Sequence, residues 1–231
     1  GAAKRWLWVA TGADASVFRI AGSRAASELV PLLGPDFAGI VGSDRYRVYD
    51  TLPVQRRQVC WAHLKRDCAG YAQYGGAVGV WGAAALVEQQ ALFARWHRFR
   101  QGQLTRAELQ TEVAPIQARF RALLEQGLAA GPTHGFCREV LRVWPALWTF
   151  LAVEGVEPTN NAAERALRPA VLWRKGCFGT QGGAGERFAE RILTVATTCQ
   201  QQGRALWSFL IDSLVAHQTG QPAPSLFAAP A

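Results

Sequence analysis

The stretch Thr159-Asn160-Asn161-Ala162-Ala163-Glu164-Arg165-Ala166-Leu167-Arg168-Pro169, with the residues that follow it as far as Thr180, decides how the rest of this chain is read. Thr159, Asn160 and Asn161 carry side chains that cap orphan amides, so a helix is expected to start among them. Pro169 disfavours the α region at the residue before it, so the helix is expected to end by Arg168, after about two turns. On such a helix Asn160, Asn161, Glu164 and Arg168 project from one face, a carboxylate among amides and a guanidinium. Two readings are open: a capping box of Asn161 and Glu164 with Arg168 in a surface ion pair, or a functional face built around Glu164. The residues beyond shift the balance to the second. Trp173, Arg174, Lys175, Gly176, Phe178 and Gly179 interleave aromatics, cations and glycines, as suits a basic loop that grips phosphates and stacks on bases.

The whole chain bounds the possibilities. Its 231 residues, 49% of them hydrophobic, can bury a substantial core and form one domain with an insertion. A formal charge of +8 points to an anionic partner, nucleic acid first among them. The sequence reads as having nothing near the roughly eighteen apolar residues of a membrane span and no leader peptide, so a cytoplasmic protein is expected. Cys60, Cys68, Cys137, Cys177 and Cys199 are an odd, scattered set and read as reduced thiols. Cys60, His63 and Cys68 lack the second pair that a zinc finger requires. There is no methionine, so the chain is read as not beginning at a natural start.

Residues 6–10 and 17–20 are bulky runs separated by Thr-Gly-Ala-Asp-Ala-Ser and predict a β-hairpin. Ser23 or Ser27 is placed to cap a short helix that turns Leu29, Val30, Leu32 and Leu33 toward the core before Gly34-Pro35. Residues 37–42 predict a buried strand that delivers Ser43 and Asp44 at its C-terminal end, the edge where open α/β sheets hold ligands. Asp44 reads equally well as a turn cap. Residues 58–61 predict a further strand and 62–72 a helix on which His63 and Arg66, three apart, could meet a phosphate or serve only as a structural histidine and a solvated cation. From about 78 to 153 the pattern is helical: Leu92, Phe93, Trp96 and Phe99 form one stripe, and Leu109, Val113, Ile116, Phe120 and Leu123 another. Thr105 and Glu108 make a capping-box start for the second. A third stripe runs from Phe136 to Leu151, bent at Pro145. Gly185 then opens a long helix with Phe188, Ile192, Val195 and Cys199 on one face, and Leu206, Phe209, Leu210 and Leu214 mark a last helix.

Several motifs in order resemble the catalytic domain of insertion sequence 66 family transposases. They are Ser43-Asp44-Arg45-Tyr46, Cys60-Trp61-Ala62-His63-Leu64-Lys65-Arg66, the stretch from Thr159 to Pro169, Trp173-Arg174-Lys175-Gly176-Cys177-Phe178-Gly179-Thr180-Gln181, and Gly185-Glu186-Arg187-Phe188. The resemblance implies a DDE recombinase: an α/β, ribonuclease H-like core, a mixed sheet flanked by helices, with a large all-helical insertion between the second and third acids. It makes Asp44 the second acid, on the fourth strand of the core, and Glu164 the third, both catalytic and both metal ligands for Mg²⁺ or Mn²⁺, two ions in a complete site. Carboxylates are the right donors for such hard ions. The chemistry implied is phosphodiester cleavage at a transposon end and strand transfer to target DNA. Asn160, Asn161, Arg165, Arg168, Trp173, Arg174 and Lys175 become candidate DNA contacts, with His63 and Arg66 behind them. The partners implied are transposon-end and target DNA and further copies of the chain, in the bacterial cytoplasm on the nucleoid, with no membrane. The expected organisation is 1–77 as the first part of the core, 78–153 as the insertion, 154–219 as the second part with C-terminal helices, and 220–231 as a loose tail.

One departure from the family stands out. The first aspartate belongs on a strand just before residues 6–10, and Asp14, in the hairpin turn, does not replace it. The expectation is a truncated form holding two thirds of the metal site, which binds metal weakly and cuts DNA poorly or not at all. The alternative is a non-catalytic DNA-binding remnant. A sugar hydrolase using Asp44 and Glu164 as acid and base is disfavoured by the cations around Glu164.

Overall fold

The computed structural model describes residues 4–129 and 131–227. In chain order these form β1 (Trp6–Thr11), β2 (Ser16–Ala21), α1 (Leu29–Leu33), β3 (Val41–Ser43), β4 (Arg57–Val59), α2 (Trp61–Tyr71), α3 (Gly76–Arg100), α4 (Arg106–Gly127), α5 (Gly131–Arg142), α6 (Thr149–Ala152), α7 (Asn161–Cys177), α8 (Gly183–Gln201) and α9 (Leu206–Thr219). The fold is mixed α/β, mostly helical, with two small sheets among the described residues: β1 and β2 antiparallel, β3 and β4 parallel. The chain divides into two compact units, one made of the residues up to Phe37 and from Asn161 onward, the other spanning Ala38–Asn160.

In the first unit the hairpin forms because bulky residues flank a polar turn, as the sequence predicts. Leu7, Val9 and Phe18 share one face of the hairpin, and Ala166 and Ala170 of α7 pack on it, their small side chains allowing close approach. The outer edge of β2 is covered by α8 rather than by a strand. The amides of Ser16, Phe18 and Ile20 donate to Thr198 Oγ1, Thr194 Oγ1 and Glu190 Oε1 at 3.2, 3.0 and 2.6 Å. The match is geometric: four helical residues rise about 6 Å and two strand residues about 6.7 Å, so side chains spaced by four meet amides spaced by two. Such cover removes a sheet edge open to mispairing. β1 has no strand on its other side among the described residues.

The second unit holds the larger core. β4 is buried at all three positions, and α2 begins two residues after it. Gln58, fully buried, donates to the carbonyls of Val59 and Leu147 and accepts the amide of Phe150, tying β4 to the α6 region. Trp61, Phe120, Phe150, Leu92 and Leu109 lie at the centre of the apolar cluster. α4 starts at the expected capping box, with Thr105 Oγ1 accepting the Glu108 amide and the Glu108 carboxylate accepting the Thr105 amide. α3 crosses the α2–α3 turn so closely that a methyl group on Gly82 would sit 2.7 Å from the Tyr71 carbonyl carbon and 2.8 Å from Ala72 Cα. Backbone atoms cannot yield as a side chain tip can. Gly82→Ala is expected to lower stability by about 1–3 kcal/mol despite alanine's better helix propensity; an unchanged urea midpoint would contradict this packing.

Several expectations are corrected. The strand expected over 37–42 is only Val41–Ser43, since the segment after Gly34-Pro35 stays irregular. Val30 is exposed rather than turned toward the core, and Phe188 and Leu214 are exposed as well. In α8 the inward face is instead the one whose polar side chains serve β2. α3 is also long and apolar enough, by length and composition, to pass as a membrane span, contrary to the expectation that no stretch comes near one. Within its unit it buries Trp81, Ala85, Gln89, Leu92 and Trp96 against the core, as a core helix does. The largest correction concerns α7. It does not end before Pro169 but continues to Cys177 with the proline inside. Ala166 and Leu167 before the proline and Ala170 after it pack into the same cluster, which offsets the lost amide hydrogen bond.

Candidate functional site

Asp44 follows the last residue of β3, and the Cys60 amide donates to the Ser43 carbonyl at 2.8 Å, so Asp44 and the start of α2 share the C-terminal end of the parallel pair. Asp44 Oδ1 accepts the Tyr46 amide at 2.9 Å, so one carboxylate oxygen also caps its own turn. Asp44 lines a cleft of about 400 Å³ together with Arg45, Arg57, His63, Asp67, Glu139 and Arg142, among others. Arg66, on the same helix as His63, is exposed and not part of that lining.

The cleft is a charge network that the sequence did not reveal. Arg57 is only 2% exposed; its Nη1 donates to Asp50 Oδ1 at 2.7 Å, and Arg142 Nη2 meets Asp50 Oδ2 at 3.0 Å. Burial works against the ionised form of Asp50, but the hydrogen bonds from Arg57 and Arg142 outweigh it and hold the carboxyl below its ordinary value. Arg45 pairs with Asp67 and lies over the Phe136 ring, 4.8 Å from its centroid. Arg57 Nε and Nη2 and Arg45 Nε are buried without a hydrogen-bond partner. These donors lie inside the protein, and both guanidinium groups already have a carboxylate partner, Asp50 for Arg57 and Asp67 for Arg45. Arg57 is inconspicuous in sequence because an arginine in a three-residue strand looks like any solvated cation.

The segment around Glu164 is sorted into two faces by its helix. By helical spacing Asn161, Glu164, Arg165, Arg168 and Lys175 share one stripe, on which Glu164, Arg165, Arg168 and Lys175 are exposed. Trp173 and Arg174 fall on another side and line a recess of about 620 Å³ with Lys4, Leu7, Leu167 and Phe178, among others. The expected basic loop is therefore the last turn of α7, and only Phe178 to Gly182 forms the turn into α8. Asn160 lies just before α7; its amide donates to Cys60 Sγ at 3.3 Å and its Oδ1 is buried without a partner. Asp44 and Asn160 belong to one compact unit, Asn161 and Glu164 to the other.

Burial pushes the Cys68 thiol up to about 12 and the Cys137 thiol up to about 11, so both stay protonated at neutral pH. Cys68 Sγ accepts the Gln89 amide at 3.3 Å inside the core. Asp44 and Glu164 each carry carboxylate oxygens, the donor type that Mg²⁺ and Mn²⁺ prefer. Among the described residues no group of three or more His, Cys, Asp or Glu gathers as an ion would require.

Residues 2–186 match the family described as Transposase IS66 family, from before the hairpin to the first turn of α8. The chain belongs to that family. The IS66 transposases are DNA-processing enzymes, and the match contains Asp44, His63, Arg57, Glu164 and the residues of the α7–α8 turn. This member is also 26% identical over 248 aligned positions to an uncharacterized protein of Sinorhizobium fredii, covering 96% of this chain and 46% of that protein. The chain thus spans about half the length of that curated relative. No solved structure matches it.

Proposed function

We propose that this IS66 family member is the catalytic segment of a DDE-type DNA transposase, with Asp44 and Glu164 as the second and third acids of a ribonuclease H-like site. The observation that carries the reading is the family match over residues 2–186, which includes both acids and the cations beside them. Supporting it, Asp44 stands at the C-terminal end of a parallel strand, where α/β sheets present ligand groups. Glu164 is flanked on an exposed helical stripe by Arg165, Arg168 and Lys175, a surface suited to DNA phosphates. On this reading the 231-residue chain binds DNA, binds Mg²⁺ or Mn²⁺ weakly, and cleaves little, and further copies assemble on paired DNA ends.

The DNA arm is tested by titrating duplex DNA at several salt concentrations. Each phosphate contact contributes a slope of about −0.9 in log affinity against log salt. Arg165→Ala with Arg168→Ala is expected to flatten that slope by about two, with little change in fold because both side chains are exposed. An unchanged slope would remove these residues from the DNA face. Efficient Mg²⁺-dependent strand transfer by this exact polypeptide would contradict the incomplete site. The second reading, a DNA-binding remnant, is favoured by the lack of a three-acid group among the described residues. It separates from the first in Glu164→Gln: a remnant keeps its DNA affinity and has no Mn²⁺ binding to lose.

A further inference from the structure

The recess of the first unit is not explained by an acid-dependent cleavage site. Its floor is aliphatic, with Leu7, Leu167 and Leu193, and among the described residues its lining includes Lys4, Arg5 and Arg174 but no acidic residue, Arg5 being paired with Glu186 just outside it at 2.7 Å. At about 620 Å³ it is the size of a small-molecule site, with room for one nucleotide and none for a duplex. Trp173, 41% exposed, is fixed at the recess by a T-shaped contact with Phe188, ring centroids 6.4 Å apart.

Phe178 is the unusual residue. The residue is 96% exposed, and its φ of 61° lies in the left-handed region that non-glycine residues adopt at a cost. Gly179, next to it, has φ 93° and makes the same turn without that cost. A phenylalanine that gains nothing from burial and strains its own backbone does not serve the stability of the fold. It lines instead an apolar recess that Lys4 and Arg174 also line.

We propose that this recess receives an unpaired nucleotide of a DNA strand. The base is taken onto the aliphatic floor against Trp173, its phosphate meets Lys4 and Arg174, and Phe178 wedges into the gap left in the stack. The proposal rests on the reading that the partner is DNA, and it is independent of metal chemistry. An apolar peptide anchor would fit the floor but make no use of Lys4 and Arg174, the lining cations other than Arg5, which already pairs with Glu186.

The test compares a duplex with the same duplex carrying one unpaired 2-aminopurine, reading affinity by anisotropy and base environment by 2-aminopurine fluorescence. The unpaired site is expected to bind about tenfold or more tightly, the scale of one base–aromatic stack, with a change in 2-aminopurine emission. Phe178→Ala is expected to bring the two affinities together while duplex binding persists. Because Phe178→Gly suits the backbone better than the native residue, it should lose the same preference and exclude misfolding as the cause. Equal affinities with unchanged fluorescence in the native chain would overturn the nucleotide site and leave the DNA reading standing. Preference retained by both Phe178 variants would overturn the wedge. No binding to either DNA would overturn the DNA reading and this proposal with it.

Discussion

Asp50→Ala is expected to destabilise the unit spanning Ala38–Asn160 by about 3–5 kcal/mol, the range for leaving a buried charge without its partner. Asp50 is itself partly exposed, but it accepts from Arg57, whose side chain is only 3% exposed, and from Arg142. Without the carboxylate, the Arg57 guanidinium keeps its burial and loses its counter-charge. The same pair gives a pH signature. The Asp50 carboxyl titrates below its unfolded value in the fold, so the native state binds that proton less readily than the unfolded chain. Its stabilisation is complete above the unfolded value of about 3.9 and is lost as pH falls through the folded value. Urea denaturation at pH 7 and at successively lower pH should show stability declining below about pH 5 in the native chain, with a weaker decline in Asp50→Asn. Identical acid profiles for the two would contradict the pairing.

Trp61→Ala is expected to cost about 3–5 kcal/mol through the cavity it leaves. The side chain is 1% exposed, lies 5.2 Å from the Phe120 ring centroid and 5.0 Å from that of Trp148, and donates Nε1 to the Leu147 carbonyl at 2.8 Å. As the first residue of α2 it fixes the helix against the end of β4, and so helps position His63 and the cleft beside Asp44. Trp61→Phe keeps most of the apolar volume and loses the donor, so it should recover a large part of the loss. A midpoint shift in Trp61→Ala worth less than about 1 kcal/mol would show that the cluster closes around the gap.

Features set by neighbouring residues were legible in the sequence. The capping box at Thr105 and Glu108, the hairpin around the 12–15 turn and the helical stripes of α3 and α4 each depend on residues a few positions apart. The end of α7 was not, because whether Pro169 breaks a helix depends on Ala166 and Ala170 packing over Phe18, about 150 positions away. The cleft beside Asp44 was half legible. Asp44 and His63 stand in recognisable motifs, but Arg57 becomes notable only when Asp50 and Arg142 are brought to it. Phe178 was seen as one aromatic of a basic segment; its strain and exposure are properties of the turn that no local pattern encodes.

On the proposed reading, Asp44 and Glu164 serve one divalent-ion site for DNA chemistry. It is tested most directly by Mn²⁺ binding, read by paramagnetic resonance, in the native chain and in Asp44→Asn, Glu164→Gln and the double variant. Weak binding is expected in the native chain, lost to the same extent in each single variant and no further in the double. Binding that both single variants leave unchanged would contradict that reading.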